Sequence, residues 1–172
     1  MRRDADADIV RRFARELGRA TTVTARLYLV GGASAVLEGW RASTLDIDLR
    51  LEPDDDELLR ELPRLKQLLD LNVELASPLD FLPELPGWRE RSPFLFREVR
   101  IDVHHFDFCS QALAKLERGF AQDLSDVASM VAAGLVEPAR LLALYERVED
   151  ELFRFPAVDP ASLREAVERL AR

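Results

Sequence analysis

The sequence predicts an α+β fold in which a small mixed sheet, flanked by helices, is followed by a C-terminal helical region. Three stretches carry that expectation. Residues 26–51 (RLYLVGGASAVLEGWRASTLDIDLRL) read as strand, glycine turn, helix and second strand. Residues 94–109 (FLFREVRIDVHHFDFC) read as a hairpin or one long bent strand. From Ser110 onward the apolar spacing is helical. Residues 1–109 are therefore expected to form the sheet core and residues 110–172 helices packed on it, together one structural unit. A chain of 172 residues is long enough to bury a core without disulfides or a structural metal.

The elements follow in order. Asp8–Gly18 has the pattern of an amphipathic opening helix that covers one side of the sheet. Leu27–Val30 is an apolar run too short for a helix and stopped by glycines, which suits a buried strand. Ala33–Trp40 has helical periodicity. In Leu45–Leu49 strict alternation puts Asp46 and Asp48 on one strand face and Leu45, Ile47 and Leu49 on the other. The acidic run Asp54–Glu57 suits a helix N-terminus, where carboxylates favour the dipole. The helix it opens, over 55–71, would bury Leu58, Leu59, Leu62, Leu65, Leu68 and Leu69, with a bend at Pro63. Asn72–Ala76 reads as a third strand. Residues 77–93 (SPLDFLPELPGWRERSP) fit no regular element; they either fold over a substrate or pack Phe81 and Trp88 onto the sheet. In 110–135 Ser110 is the expected N-cap and Gly134 the stop. A continuous helix there aligns Gln111, Lys115, Arg118, Gln122 and Asp126 on one stripe, whereas a break at Gly119 brings Lys115 and Asp123 to a shared corner. Two more helices are expected near 138–153 and 160–170.

Composition narrows the function classes. Apolar residues make up 48% and charged residues 33%, an ordinary globular balance. No apolar run is long enough for a membrane span, and the first residues, MRRDADAD, lack a signal peptide's apolar segment. The single cysteine, Cys109, excludes an internal disulfide framework and fits a reducing, cytoplasmic location. A net charge of −8 argues against strong binding to long nucleic-acid duplexes and leaves room for a local contact to a nucleic-acid end.

The chemistry concentrates at the glycine turn and the two aspartates. Gly31 and Gly32 permit close approach of a phosphate or another backbone, next to the free N–H groups of the following helix. Thirteen residues separate Gly32 from Asp46, enough for one short helix and a return turn. A phosphate cradle beside two carboxylates is what a magnesium-dependent enzyme acting on a nucleoside triphosphate requires. This Gly-Gly followed by an apolar-flanked Asp-x-Asp resembles the first motif of the polymerase β-like nucleotidyltransferase superfamily. Within it, the Gly-Gly form with Arg41, Ser43 and Thr44 ahead of the aspartates resembles the AbiEii-type toxins and related bacterial nucleotidyltransferases.

The resemblance implies a polymerase β-like nucleotidyltransferase core and transfer of a nucleoside monophosphate from an NTP to an acceptor hydroxyl. Asp46 and Asp48 would hold Mg²⁺ or Mn²⁺, with a third carboxylate from a later strand. Asp102, acidic between Ile101 and Val103, is the candidate, and Asp107 the alternative. Gly31, Gly32, Ser34, Arg41 and Thr44 would contact the nucleotide. Lys-Leu-x-Arg followed by Asp-Leu-x-Asp, from Lys115 to Asp126, resembles the later AbiEii-type motif, which implies a triphosphate contact for Lys115 and supporting roles for Asp123 and Asp126. His104 shares a strand face with Asp102, and His105 lies on the opposite face. The acceptor implied is an RNA or tRNA 3′ end or a protein, with an antitoxin as partner. Small-molecule transferases that modify aminoglycosides or lincosamides share the spacing, but their tryptophan after Gly-Gly is Ala33 here. A module on the same fold that binds nucleotide or a partner without turnover is the alternative outside enzymology.

Overall fold

The computed structural model describes residues 3–172 and divides the chain into two units. The first runs through Ser77 and includes Ser92–Phe106; the second comprises Pro78–Arg91 and Asp107–Arg172.

In the first unit, β1 (Ala25–Val30), β2 (Asp46–Glu52), β3 (Asn72–Leu75), β4 (Phe94–Glu98) and β5 (Ile101–His105) form one five-stranded sheet in the order β3-β2-β1-β5-β4. The β1–β2 and β4–β5 pairs are antiparallel; β1–β5 and β2–β3 are parallel. The sheet is mixed, as the sequence predicts. Of residues 94–109, Phe94–His105 form a hairpin, turning at Val99 with φ 58, and Phe108 and Cys109 begin a helix of the second unit. The helices are α1 (Ala7–Ala20), α2 (Gly32–Glu38) and α3 (Asp56–Leu68).

Alternation builds the core. Leu27, Leu29, Ile47, Leu49, Leu51, Ile101 and Val103 point to one face and are buried with Ile9, Phe13 and Leu17 of α1 and Leu58, Leu62 and Leu65 of α3. Each such side chain contributes about 1.5–3 kcal/mol through removal from water. Asp6 caps α1 by accepting from Ile9 N at 2.9 Å, and Asp55 caps α3 by accepting from Glu57 N at 2.8 Å, so the acidic run does open a helix. α1 approaches the β4–β5 turn so closely that a Cβ on Gly18 would stand 2.5 Å from the Glu98 carbonyl oxygen. The predicted leucine stripe of α3 is narrower than expected: the helix stops at Leu68, which is exposed, and Leu59 is half-buried.

The second unit holds a 3₁₀ turn at Pro78–Asp80, α4 (Trp88–Arg91), α5 (Phe108–Arg118), α6 (Ala121–Ala132), α7 (Pro138–Glu146), a 3₁₀ turn at Glu149–Arg154 and α8 (Pro160–Ala171). The stretch expected to lack regular structure therefore contains two short helical turns. Trp88 is buried and donates through Nε1 to Glu84 at 2.8 Å, whereas Phe81 is 59% exposed and does not pack as expected. The cap of α5 is Asp107, not Ser110: its carboxylate accepts from Cys109 N, Ser110 N and the Ser110 hydroxyl. Gly119, at φ 69, ends α5 and breaks the polar stripe, and Gly134, at φ 70, follows α6. Among the described residues no helix is long and apolar enough to cross a membrane.

Candidate functional site

Residues paired across a sheet share a face, so the register fixes which side chains meet. On the face opposite the apolar core, one row runs Glu74–Asp48–Val30, and beside it Asp46 lies across from Asn72. The next row carries Arg50, Tyr28 and His104, and the last carries Glu52, Arg26, Asp102 and Arg97. Asp46 and Asp48 are both half-buried.

The glycine turn meets this face at the end of β1. Gly31 sits at φ 61, and a Cβ built on it would stand 3.4 Å from Asp48 Oδ2. A Cβ on Gly32 would collide with the Thr44 hydroxyl, stand 2.8 Å from Thr44 Cβ and lie 3.5 Å from Arg41 Nη1. Gly31, Gly32, Arg41, Thr44 and Asp48 thus converge on one corner, five of the residues singled out by the sequence. Thr44 is fixed from two sides. Its backbone pairs with Ala5 (Ala5 N to Thr44 O 2.7 Å, Thr44 N to Ala5 O 2.9 Å), and its hydroxyl donates to the Asp46 carbonyl at 3.0 Å. The helix after the turn, α2, is only seven residues long, so the turn and the arginine, rather than a long helix dipole, set the local field.

Asn72 ties the carboxylates together. Its Nδ2 donates to Asp46 Oδ1 and, at 3.2 Å, to Glu74 Oε1. Neither Asn72 nor Glu74 is among the sequence candidates. The available signal was the polar alternation of Asn72-Val73-Glu74-Leu75 in a strand that pairs in parallel with the aspartate strand.

Asp102 lies elsewhere. Along β1 its partner Arg26 is four residues from Val30, the partner of Asp48, and β5 and β2 flank β1 on opposite sides. The two carboxylates are therefore displaced by about 13 Å along the strands and about 9.6 Å across them. They cannot share an ion. Asp102 pairs instead with Arg97, at 2.5 Å to Nε and 2.7 Å from Nη2, and that hydrogen bond holds its carboxyl below its usual range. Asp107 is committed as a cap and to Arg91, whose Nε and Nη2 reach its oxygens at 3.0 and 2.8 Å. Among the described residues no three His, Cys, Asp or Glu groups are placed to hold a metal by themselves.

The serine expected at the nucleotide points into the interior. Ser34 Oγ donates to Leu29 O at 2.9 Å and lies 2.9 Å from His105 Nδ1, while His105 Nε2 lies 2.7 Å from Glu38 Oε1. This Ser-His-Glu series is fully shielded at Ser34 and His105, so no substrate reaches it; it binds both ends of α2 to β5. His104, on the other face, places Nδ1 3.2 Å from Ser92 O and its ring 5.3 Å from Tyr28.

In the second unit Lys115, only 4% exposed, donates to Asp126 Oδ2 at 2.7 Å and Asp123 Oδ1 at 3.3 Å. Arg118 also holds Asp123, and Gln122 donates to Asp126. The break at Gly119 thus produces the Lys115–Asp123 corner. A phosphate reaching Lys115 would have to compete with these two buried carboxylates.

Residues 8–155, well over half of the chain, match the family DUF6036, described as nucleotidyltransferases of unknown function. The chain belongs to that family. No curated protein matches it. No solved structure matches it either. Membership of DUF6036 makes it a nucleotidyltransferase at that coarse level.

Proposed function

We propose that the protein is a metal-dependent nucleotidyltransferase, moving a nucleoside monophosphate from an NTP to an acceptor hydroxyl at the Gly31–Asp48 corner. The observation that carries this reading is the contact of Gly31 with Asp48 and of Gly32 with Thr44 and Arg41. A turn without side chains, a guanidinium and a carboxylate are neighbours at this corner, which supports the reading.

The donor set fits a hard divalent cation. Asp46 and Asp48, both half-buried, supply oxygens from one strand face, and Asn72 orients Asp46. Mg²⁺ is commonly held by one or two carboxylates, with substrate phosphates and water completing its shell. When bound there, Mg²⁺ or Mn²⁺ would polarise the α-phosphate and offset the charge of the departing pyrophosphate.

The chain's own residues do the rest. Gly31, at φ 61, keeps the turn free of a side chain beside Asp48, and Gly32 leaves room for the Thr44 side chain, which a Cβ there would strike. Arg41 offers a planar fork of N–H donors to the terminal phosphates. Thr44, anchored through Ala5, fixes the start of the aspartate strand through its bond to the Asp46 carbonyl. The acceptor oxygen forms a bond to the α-phosphorus while the bond from that phosphorus to the bridging oxygen breaks, and pyrophosphate leaves. Catalysis is then a matter of position and fixed charge rather than of covalent chemistry by the protein.

The likeness of the Gly-Gly and Asp-x-Asp stretch to AbiEii-type toxins extends the proposal to a cytoplasmic toxin with an antitoxin partner. The direct test uses α-labelled NTPs, Mg²⁺ or Mn²⁺ and total cell extract. The Asp46→Asn, Asp48→Asn double variant should lose at least about 100-fold in incorporation, the scale of removing transition-state charge stabilisation. Its melting temperature should stay close to the parent's. Full incorporation by the double variant would rule the site out.

A further inference from the structure

The glycine turn has no side chains of its own, so the residues that bracket it set its shape. Gly31, the N-cap of α2 at φ 61, and Gly32, the first residue of that helix, lie between Val30 at the end of β1 and Ser34 in the first turn of α2. Left to itself, a pair of glycines has more backbone conformations open to it than any other pair. Hydrogen bonds from the interior hold this one. Ala35 N donates to Gly31 O at 3.1 Å, and Phe106 N donates to Leu29 O at 2.8 Å. The Ser34 hydroxyl donates to the same Leu29 O at 2.9 Å, so its bond reaches across both glycines and closes the loop they form.

His105 stands behind that bond. It pairs with Leu29 in the parallel β1–β5 register, its backbone N donates to Pro93 O at 3.0 Å, and it is wholly buried. With the Ser34 hydrogen directed to Leu29 O, the Ser34 oxygen accepts from His105 Nδ1 at 2.9 Å. The other ring nitrogen, Nε2, lies 2.7 Å from Oε1 of Glu38, the last residue of α2. The ring cannot turn without losing one of these partners, so its orientation is fixed, and Ser34 is fixed with it. The turn held in this way is the one that meets Asp48 through Gly31, and Thr44 and Arg41 through Gly32.

We propose that His105 is a positioning residue for the phosphates of the nucleotide: by keeping Ser34 on Leu29 O, it holds the Gly31–Gly32 turn in the conformation that receives them. The proposal rests on the nucleotidyltransferase reading above. His105 touches neither nucleotide nor metal in this role, because it is shielded from solvent on the core side of the sheet. Without its Nδ1 donor the Ser34 side chain is free to leave Leu29 O. The two glycines then regain their alternative conformations, and phosphate binding must first restore the turn. Asp46 is oriented independently, by Asn72 of β3, so binding of the metal alone does not depend on His105.

The test uses the full chain, Mn²⁺ and ribose-labelled fluorescent analogues of ATP, CTP, GTP and UTP, with tripolyphosphate as a competitor that has no base or sugar. Three variants are compared with the parent, each below its own melting temperature. In His105→Asn the side-chain amide nitrogen takes the place of Nδ1; in His105→Gln it takes the place of Nε2; Ser34→Ala removes the bond to Leu29 O. His105→Gln and Ser34→Ala should weaken both the tightest-binding analogue and tripolyphosphate by at least about tenfold, the scale of one lost hydrogen bond, while His105→Asn stays within about threefold of the parent. Mn²⁺ alone, followed by electron paramagnetic resonance, should bind all three as it binds the parent. Should His105→Gln fail to fold, Ser34→Ala makes the same comparison with the loss of a single oxygen. Parent-like affinity in the variants that lose the Ser34 link, equal losses in His105→Asn and His105→Gln, or a parallel loss of Mn²⁺ affinity would overturn the positioning role and leave the transferase reading intact. No analogue binding above that of the Asp46→Asn, Asp48→Asn control would overturn the transferase reading itself, and this proposal with it.

Discussion

Asn72 is the residue on which the geometry of the first aspartate depends. One amide nitrogen serves Asp46 and Glu74 together, from a strand whose parallel register with β2 holds all three on one face. A carboxylate fixed in this way presents its remaining oxygen in a set direction, and loss of such supporting contacts typically costs about 10–100-fold in metal affinity. Asn72→Ala should therefore weaken Mn²⁺ binding by that factor, read from the spectrum of free Mn²⁺ by electron paramagnetic resonance. Because Asn72 is only half-buried, the melting temperature should change little. Unchanged Mn²⁺ affinity would remove Asn72 from the site. This residue also marks a limit of the sequence. Asp46 and Asp48 declare themselves by spacing two apart in an apolar strand, but an asparagine becomes a clamp only once the register is known.

At the scale of elements, α2 owes its seat to a buried histidine. His105 on β5 meets Ser34 near the start of the helix and Glu38 at its end. Burial lowers its pKa from the ordinary 6.5, and the Glu38 carboxylate opposes that shift without reversing it. Below 6.5 the unfolded chain takes up a proton that the folded chain refuses, so stability is complete above that pH and is lost as pH falls through the folded value. The carboxylates held below their usual range by hydrogen bonds or arginines, Glu57, Glu98, Asp102, Glu149 and Asp159, titrate at lower pH and do not share this window. The parent should lose melting temperature between about pH 7.5 and about pH 5.5, and His105→Gln should flatten that slope. A slope identical in both would place the proton uptake elsewhere. The α5–α6 corner makes a different prediction. Lys115 is buried between Asp123 and Asp126, and removing the cation leaves two buried carboxylates, one of them still held by Arg118. Lys115→Met should cost about 3–5 kcal/mol in urea denaturation, and adding Asp126→Asn should recover a large part of it. A Lys115→Met cost below about 1 kcal/mol would show the network to be solvated rather than buried.

For the whole molecule, the parts legible in the sequence were those with a local period. Alternation placed β2 and its aspartates, helical spacing placed α1, α3 and the C-terminal helices, and Gly119 offered the break between α5 and α6 as one of two readings. What local period does not encode is displacement along a neighbouring strand. Asp102 alternates correctly and shares the aspartate face, yet the β1–β5 register carries it to the far end of the sheet, beside Arg97. The cap of α5 escaped for a related reason, since Asp107 and Ser110 both suit an N-cap and only the bonds to Cys109 N and Ser110 N separate them. Net charge is a whole-chain property that needs no fold, and it bears directly on the acceptor. At −8 the chain repels a polyanion except through local patches, and counterion release has little to drive it. At about 0.15 M salt the protein should pass through a heparin column, and a labelled duplex should show no saturable anisotropy change below about 100 µM, the weak end of non-specific binding. Saturable binding with a steep dependence on salt would reveal a basic surface concentrated enough to overcome the net charge. The charge argument against a nucleic-acid acceptor would then fail, and a nucleic-acid end would become the better-supported acceptor. Binding that is absent at every salt concentration, together with protein-borne label, would favour a protein hydroxyl over a nucleic-acid end as the acceptor.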